Sequence, residues 1–99
     1  MSTDNDVVEK QETELKRPKK YVVILHNDDV TPMDFVVDLL KSVFNMDHAT
    51  AIDLMFKIHD DGQGIAGVYP YEVSEQKVTE ARTLIKLASM QLKVTMQEE

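Results

Sequence analysis

The chain has no cysteine. That excludes disulfides, thiolate zinc ligands and a thiol nucleophile. No apolar run approaches the roughly 20 residues that a membrane-spanning helix needs. Met1 to Asp6 lack the basic and apolar stretches of a secretory signal. A cytoplasmic protein with no membrane association is therefore expected. Surplus basic charge is missing too: the net charge is −7. Residues 1–20 hold five acidic and five basic side chains, and the remaining residues hold thirteen acidic and six basic ones. Phosphate binding needs concentrated Lys and Arg, so nucleic acid is not an expected partner. A cationic ligand such as a free α-ammonium group suits an acidic domain better. Reaction motifs are also lacking. There is no G-x-S-x-G, no G-x-G-x-x-G and no phosphate loop. Asp28-Asp29 and Asp60-Asp61 do not fit a calcium loop, and His26, His48 and His59 show no zinc spacing. Neither an enzyme nor a resident metal or cofactor is expected.

What is present suits one small domain of 99 residues with a modest core. Residues 1–20 are polar and charged, with little apolar surface to offset ordering, and read as a flexible tail before a domain at 21–99. Tyr21 to His26 is a β-branched apolar run, a strand. Asn27-Asp28-Asp29 breaks it. Thr31 is placed to cap a helix with Pro32 in its first position, and Met33, Val36, Val37, Leu40, Val43 and Phe44 follow at helical spacing. Asp47 is the expected cap of a second helix running to about His59. The cluster at 60–64 turns the chain into a short strand, Ile65 to Tyr69. Pro70 opens a third helix whose expected buried stripe is Val78, Ala81, Leu84, Ile85 and Ala88. Gln91 to Gln97 alternates polar and apolar, a strand with one wet face. The expected fold is α+β: a single small domain in the order β-α-α-β-α-β, with three short, largely antiparallel strands and helices on one face.

Two features carry possible chemistry. Asn27-Asp28-Asp29 sits where a strand meets a helix, a place that often holds binding groups on a rigid frame. The same residues are ordinary turn formers. His59 ends the second helix one turn after Met55. A lone histidine there is more often a boundary residue than a ligand-binding one. Met33, Val36, Met55, Ile58 and Leu92 suit a core and also suit an apolar pocket. Glu72 and Lys77 fall on an exposed helix face as solvated charges.

Together these stretches resemble the ClpS family, adaptors of the ATP-dependent Clp protease. The likeness is carried by Asn27-Asp28-Asp29-x-Thr31-Pro32-Met33-x-Phe35-Val36, by Met55 to His59, and by Gly67-Val68-Tyr69-x-Tyr71-Glu72-Val73-x-Glu75-x-Lys77-Val78. It runs from about Tyr21 to Met96. It implies an adaptor that binds proteins bearing a bulky apolar N-terminal residue (Leu, Phe, Tyr or Trp) and delivers them to a hexameric AAA+ Clp unfoldase of the ClpA type. By position, the resemblance implies that Asn27, Asp29 and His59 hold the α-amino group, with Asp28 alongside. Thr31, Met33, Val36, Met55, Ile58 and Leu92 would enclose the side chain, with Met33 as a gate against β-branched residues. Glu72 and Lys77 would face the unfoldase, and the tail would engage it. A monomer is expected.

The sequence departs from the family pattern at His26, Val30 and Ile58. Ile58 stands where Val is usual and adds one methylene, so Trp is expected to bind less well than Leu or Phe. An imidazole accepts from an ammonium only when neutral, so binding is expected to weaken in mild acid. A different class of reading is an interaction domain like that of the ribosomal stalk, using exposed helix faces and no end-binding pocket.

Overall fold

The computed structural model describes residues 18–99. The elements run β1 (Lys20–His26), α1 (Met33–Phe44), α2 (His48–Asp61), β2 (Gln63–Pro70), α3 (Tyr71–Leu87) and β3 (Lys93–Glu98). This is the β-α-α-β-α-β order of the expected α+β domain. β1 begins at Lys20, one residue inside the expected tail. Residues 1–17 of that tail lie outside the described residues.

β1 is the central strand, antiparallel to β2 on one side and β3 on the other. Its alternation sends Val23 and Leu25 to the core side, where Leu25 lies opposite Val94. The three helices close over this face, burying Leu40, Val43, Ala51, Ile58, Val78 and Ala81 among others. The opposite face carries Ile65, 56% exposed. The β1–β2 register skips Ala66 between Ile24 and Val23, a bulge that brings Ala66 into the core.

Among the described residues, no strand pairs with the outer edge of β3. The Glu99 N–H donates to the Lys20 carbonyl at 2.9 Å, so these opposed residues sit at a hydrogen-bonded position of the ladder. Alternation along the ladder then turns the Val94 carbonyl outward. Arg82 on α3 covers it, with Nε at 3.1 Å and Nη2 at 2.7 Å.

The start of α2 follows the sequence. Asp47 Oδ1 accepts from the Thr50 N–H at 3.1 Å. Thr50, through its side chain and then its backbone, holds the Asp47 carboxyl below the usual carboxylate range. The helix runs two residues past His59 and ends at Gly62, whose φ of 91° lies in the left-handed region. Ser74 ties the start of α3 to the sheet, its hydroxyl 3.2 Å from the carbonyls of Tyr21 and Tyr69. Burial pushes the Tyr69 phenol up.

Several expectations need correction. Thr31 does not cap α1. Pro32 holds the cap position without a side-chain bond, and the helix starts at Met33. The Thr31 N–H and hydroxyl both donate to Asp28, which ties Thr31 into the loop before the helix. Pro70 likewise occupies the cap position and not the first turn of α3. In α3, Val78, Ala81 and Ile85 are buried, but Leu84 is 37% exposed and Ala88 lies beyond the helix in solvent. Among the described residues, no element covers that rim. β2 runs longer than expected at both ends, and β3 begins at Lys93, with Leu92 buried just before it.

Candidate functional site

The loop after β1 is held at both ends. The Asn27 N–H donates to the Gly62 carbonyl at 2.9 Å, which fastens the loop to the end of α2. The Gly62 N–H in turn donates to the Ile58 carbonyl at 2.9 Å. Glycine suits this corner because its φ is positive. Farther along, Asp28 Oδ2 accepts from the Thr31 N–H at 2.9 Å and from the Thr31 hydroxyl at 2.6 Å. The carboxylate's charge strengthens both bonds. The segment between the two clamps carries the side chains of Asn27 and Asp29, exposed and 3.5 Å apart from amide nitrogen to carboxylate oxygen.

Opposite this loop stands the last part of α2. Met55, Ile58 and His59 occupy neighbouring positions of its surface. Between them lies a cleft of about 270 Å³, lined by Asn27, Asp28, Asp29, Val30, Thr31, Pro32, Met33, Val36, Met55, Ile58, His59 and Leu92. That is near the small end of ligand pockets, suited to one large side chain.

The lining is graded. Thr31, Val36, Met55, Ile58 and Leu92 are buried and form the floor. Asn27, Asp29 and His59 are exposed and stand at the mouth. Met33, 42% exposed, sits at the rim. Chemically, the mouth offers a carboxylate, an amide oxygen and an imidazole nitrogen as acceptors, and the floor offers only one hydroxyl amid apolar surface. A ligand with a cation beside a bulky apolar group fits that division.

All ten residues expected at the amine and side-chain positions line this one cleft. Val30 and Pro32 also line it, although no motif assigns them a role there. Their position between Asp29 and Met33 is the only sequence signal for them. Gly62 was seen only as part of a turn cluster, and the clamp it provides has no signature in spacing. Among the described residues, no group of three or more His, Asp or Glu stands together as a metal site would require.

Glu72 and Lys77 lie elsewhere, on a surface hollow of α3 shared with Glu75 and Glu80. Lys77 is not a freely solvated charge, as its place on the helix suggested. Its Nζ donates to the Val43 carbonyl in the last turn of α1 at 2.7 Å and stands 6.0 Å from the Tyr69 ring centre. The long stem lets it reach across to a helix end that lacks donors.

Comparison with known proteins converges on one family. The family described as "ATP-dependent Clp protease adaptor protein ClpS" matches residues 16–95. A relative from Clostridium acetobutylicum named ATP-dependent Clp protease adapter protein ClpS is 44% identical over 98 residues, covering 99% of this chain and 97% of the relative. One of the same name from Shewanella piezotolerans is 50% identical over 74 residues, covering 75% of this chain and 72% of the relative. Among solved structures, Agrobacterium tumefaciens ClpS2 bound to L-phenylalaninamide superposes with a TM-score of 0.81 at 40% identity, covering 84% of this chain and all of that one.

Proposed function

This chain belongs to the ClpS family of ATP-dependent Clp protease adaptor proteins, and on that premise we propose that its cleft binds the free α-amino group and the bulky apolar side chain at the N-terminus of other proteins. The single observation that carries the proposal is the grading of the cleft: exposed acceptors at the mouth, a buried apolar floor behind them. L-Phenylalaninamide, the ligand of the Agrobacterium protein, pairs the same two groups, an amine and a benzyl side chain.

In this reading Asn27, Asp29 and His59 accept from the ammonium, and Asp28 stands alongside, holding the loop through Thr31. Thr31, Met33, Val36, Met55, Ile58 and Leu92 enclose the side chain, with Met33 at the entrance. Hydrogen bonds to a charged group contribute about 1.5–3 kcal/mol each, less at an exposed mouth. Burying a Leu or Phe side chain adds about 1.5–3 kcal/mol. After the losses of association, affinity of about micromolar or somewhat tighter follows. An internal Leu or Phe has no ammonium beside it and is left out.

The bound protein is then handed to a hexameric AAA+ Clp unfoldase of the ClpA type. The α3 surface with Glu72 and Lys77 faces that partner, and the adaptor works as a cytoplasmic monomer. It positions substrates and catalyses nothing itself. An interaction domain of the ribosomal-stalk kind, relying on helix faces alone, gives no reason for a cleft with acceptors at its mouth.

The test is a titration with Leu- and Phe-initiated peptides, free and N-acetylated. Acetylation removes the cation and is expected to abolish binding. Equal affinity for the two forms refutes the proposal.

A further inference from the structure

Ile58 and Gly64 form a pair that the sequence does not place together. Gly64 lies on β2 directly opposite Leu25, on the core side of the sheet, and is buried. A methyl group built on it would come within 2.8 Å of Ile58 Cγ1, 3.0 Å of Leu54 Cδ1 and 3.6 Å of Ile58 Cδ1. The backbone there is not in the left-handed region, so conformation does not demand glycine. What the missing side chain provides is space. The Cγ1–Cδ1 arm of Ile58 lies in that space, against β2. Ile58 also lines the cleft.

We infer that Gly64 is a specificity-determining residue: it gives the longer arm of Ile58 a berth behind the floor, and so keeps the side-chain slot deep enough for the largest N-terminal residues. The inference rests on the proposed function and deepens it. It also changes an expectation. From sequence alone, the extra methylene of Ile58 works against Trp. With the arm stored over Gly64, the methylene leaves the slot free, and Trp is accepted about as well as Phe.

The mechanism of control is steric. A side chain at position 64 closes the berth. Leu54 Cδ1 is the end of a flexible side chain and can give way. Ile58 Cγ1 is not an end, because Cδ1 lies beyond it, so Ile58 must turn. The direction left to it is the cleft, where a single added methylene is worth about 10-fold or more between ligands. A valine at 58 ends at the clashing carbon and can shift into the room that Cδ1 vacates.

The experiment compares the wild type with Gly64→Ala, Ile58→Val and the double variant, titrating each with Leu-, Phe- and Trp-initiated peptides and one acetylated control. The wild type is expected to bind Trp within about 3-fold of Phe, and Ile58→Val to leave the Trp-to-Leu ratio unchanged. Gly64→Ala is expected to lower that ratio about 10-fold, and the double variant to restore it. An Ile58→Val protein that gains affinity for Trp over Leu overturns the inference, because the arm would then already occupy the slot. So does a Gly64→Ala protein that weakens all three peptides equally, the mark of a purely structural role. If Gly64→Ala does not fold, Ile58→Val alone decides. Failure of the wild type to distinguish free from acetylated peptides removes the functional reading together with this one. Correct discrimination with unmoved ratios removes only the inference.

Discussion

The Asn27 N–H and the Gly62 carbonyl meet at 2.9 Å, and this bond joins the loop of Asn27 and Asp29 to the helix end that carries His59. The two halves of the cleft come from segments about thirty residues apart in sequence. Their separation is set by a glycine in the left-handed region with open space around its missing side chain. Gly62→Ala therefore strains only the backbone. It is expected to lower unfolding free energy by about 1–2 kcal/mol in a denaturant titration and to weaken binding of a Leu-initiated peptide. Wild-type stability would show that the corner tolerates any residue.

Asp28 spends one carboxylate oxygen on both donors of Thr31. An asparagine oxygen can accept the same pair. Asp28→Asn is expected to bind a Phe-initiated peptide within about 3-fold of wild type, whereas Asp29→Asn, which removes charge at the mouth, weakens it about 10-fold. Asp28→Ala frees the loop and is expected to lower stability by about 1 kcal/mol, as loss of a comparable cap does. Equal losses in the two asparagine variants would mean that Asp28 acts on the amine directly.

Lys77 holds the Val43 carbonyl, so its replacement has a consequence without any unfoldase present. Lys77→Met keeps the stem and removes the donor. The isolated variant is expected to lose about 1 kcal/mol of stability, a charged hydrogen bond discounted for partial exposure. An unchanged melting curve would leave Lys77 free to act purely at a partner surface.

Asp47 carries a pH dependence. Its carboxyl is held low by Thr50 in the folded chain. A group with a depressed folded value stabilises above its unfolded value, and that contribution is lost as pH falls through the folded one. Asp47→Ala is therefore expected to be less stable than wild type at neutral pH. The gap between the two melting temperatures should shrink steadily below about pH 4, the ordinary aspartate range. A gap independent of pH would assign the effect to the helix start and not to the charge.

Much of the fold was legible because local signals agreed. The β-branched run from Tyr21 to His26, the Asp47 cap and the alternation around Val94 each point one way. The missed details have tertiary causes. Periodicity marked Leu84 and Ala88 as buried, but none of the described elements packs on the rim where they emerge. Thr31 had the chemistry of a cap, but a carboxylate three residues earlier ties it into the loop, and the helix starts after Pro32. At the site, spacing could not separate a pocket from a core, since Val36, Met55, Ile58 and Leu92 are as buried as core residues. Motif resemblance grouped them. The berth at Gly64 was invisible, because it depends on how a strand and a helix face one another.

The guanidinium of Arg82 over the Val94 carbonyl has a consequence of another kind. A free strand edge is a template on which any extended chain can lay itself. With that carbonyl already occupied, an incoming tail loses one rung of the ladder it would need to climb onto β3. Arg82→Ala is expected to bare that rung and make the protein more prone to self-association, read as an apparent mass that rises with concentration; an unchanged mass would show that Arg82 does not protect the edge.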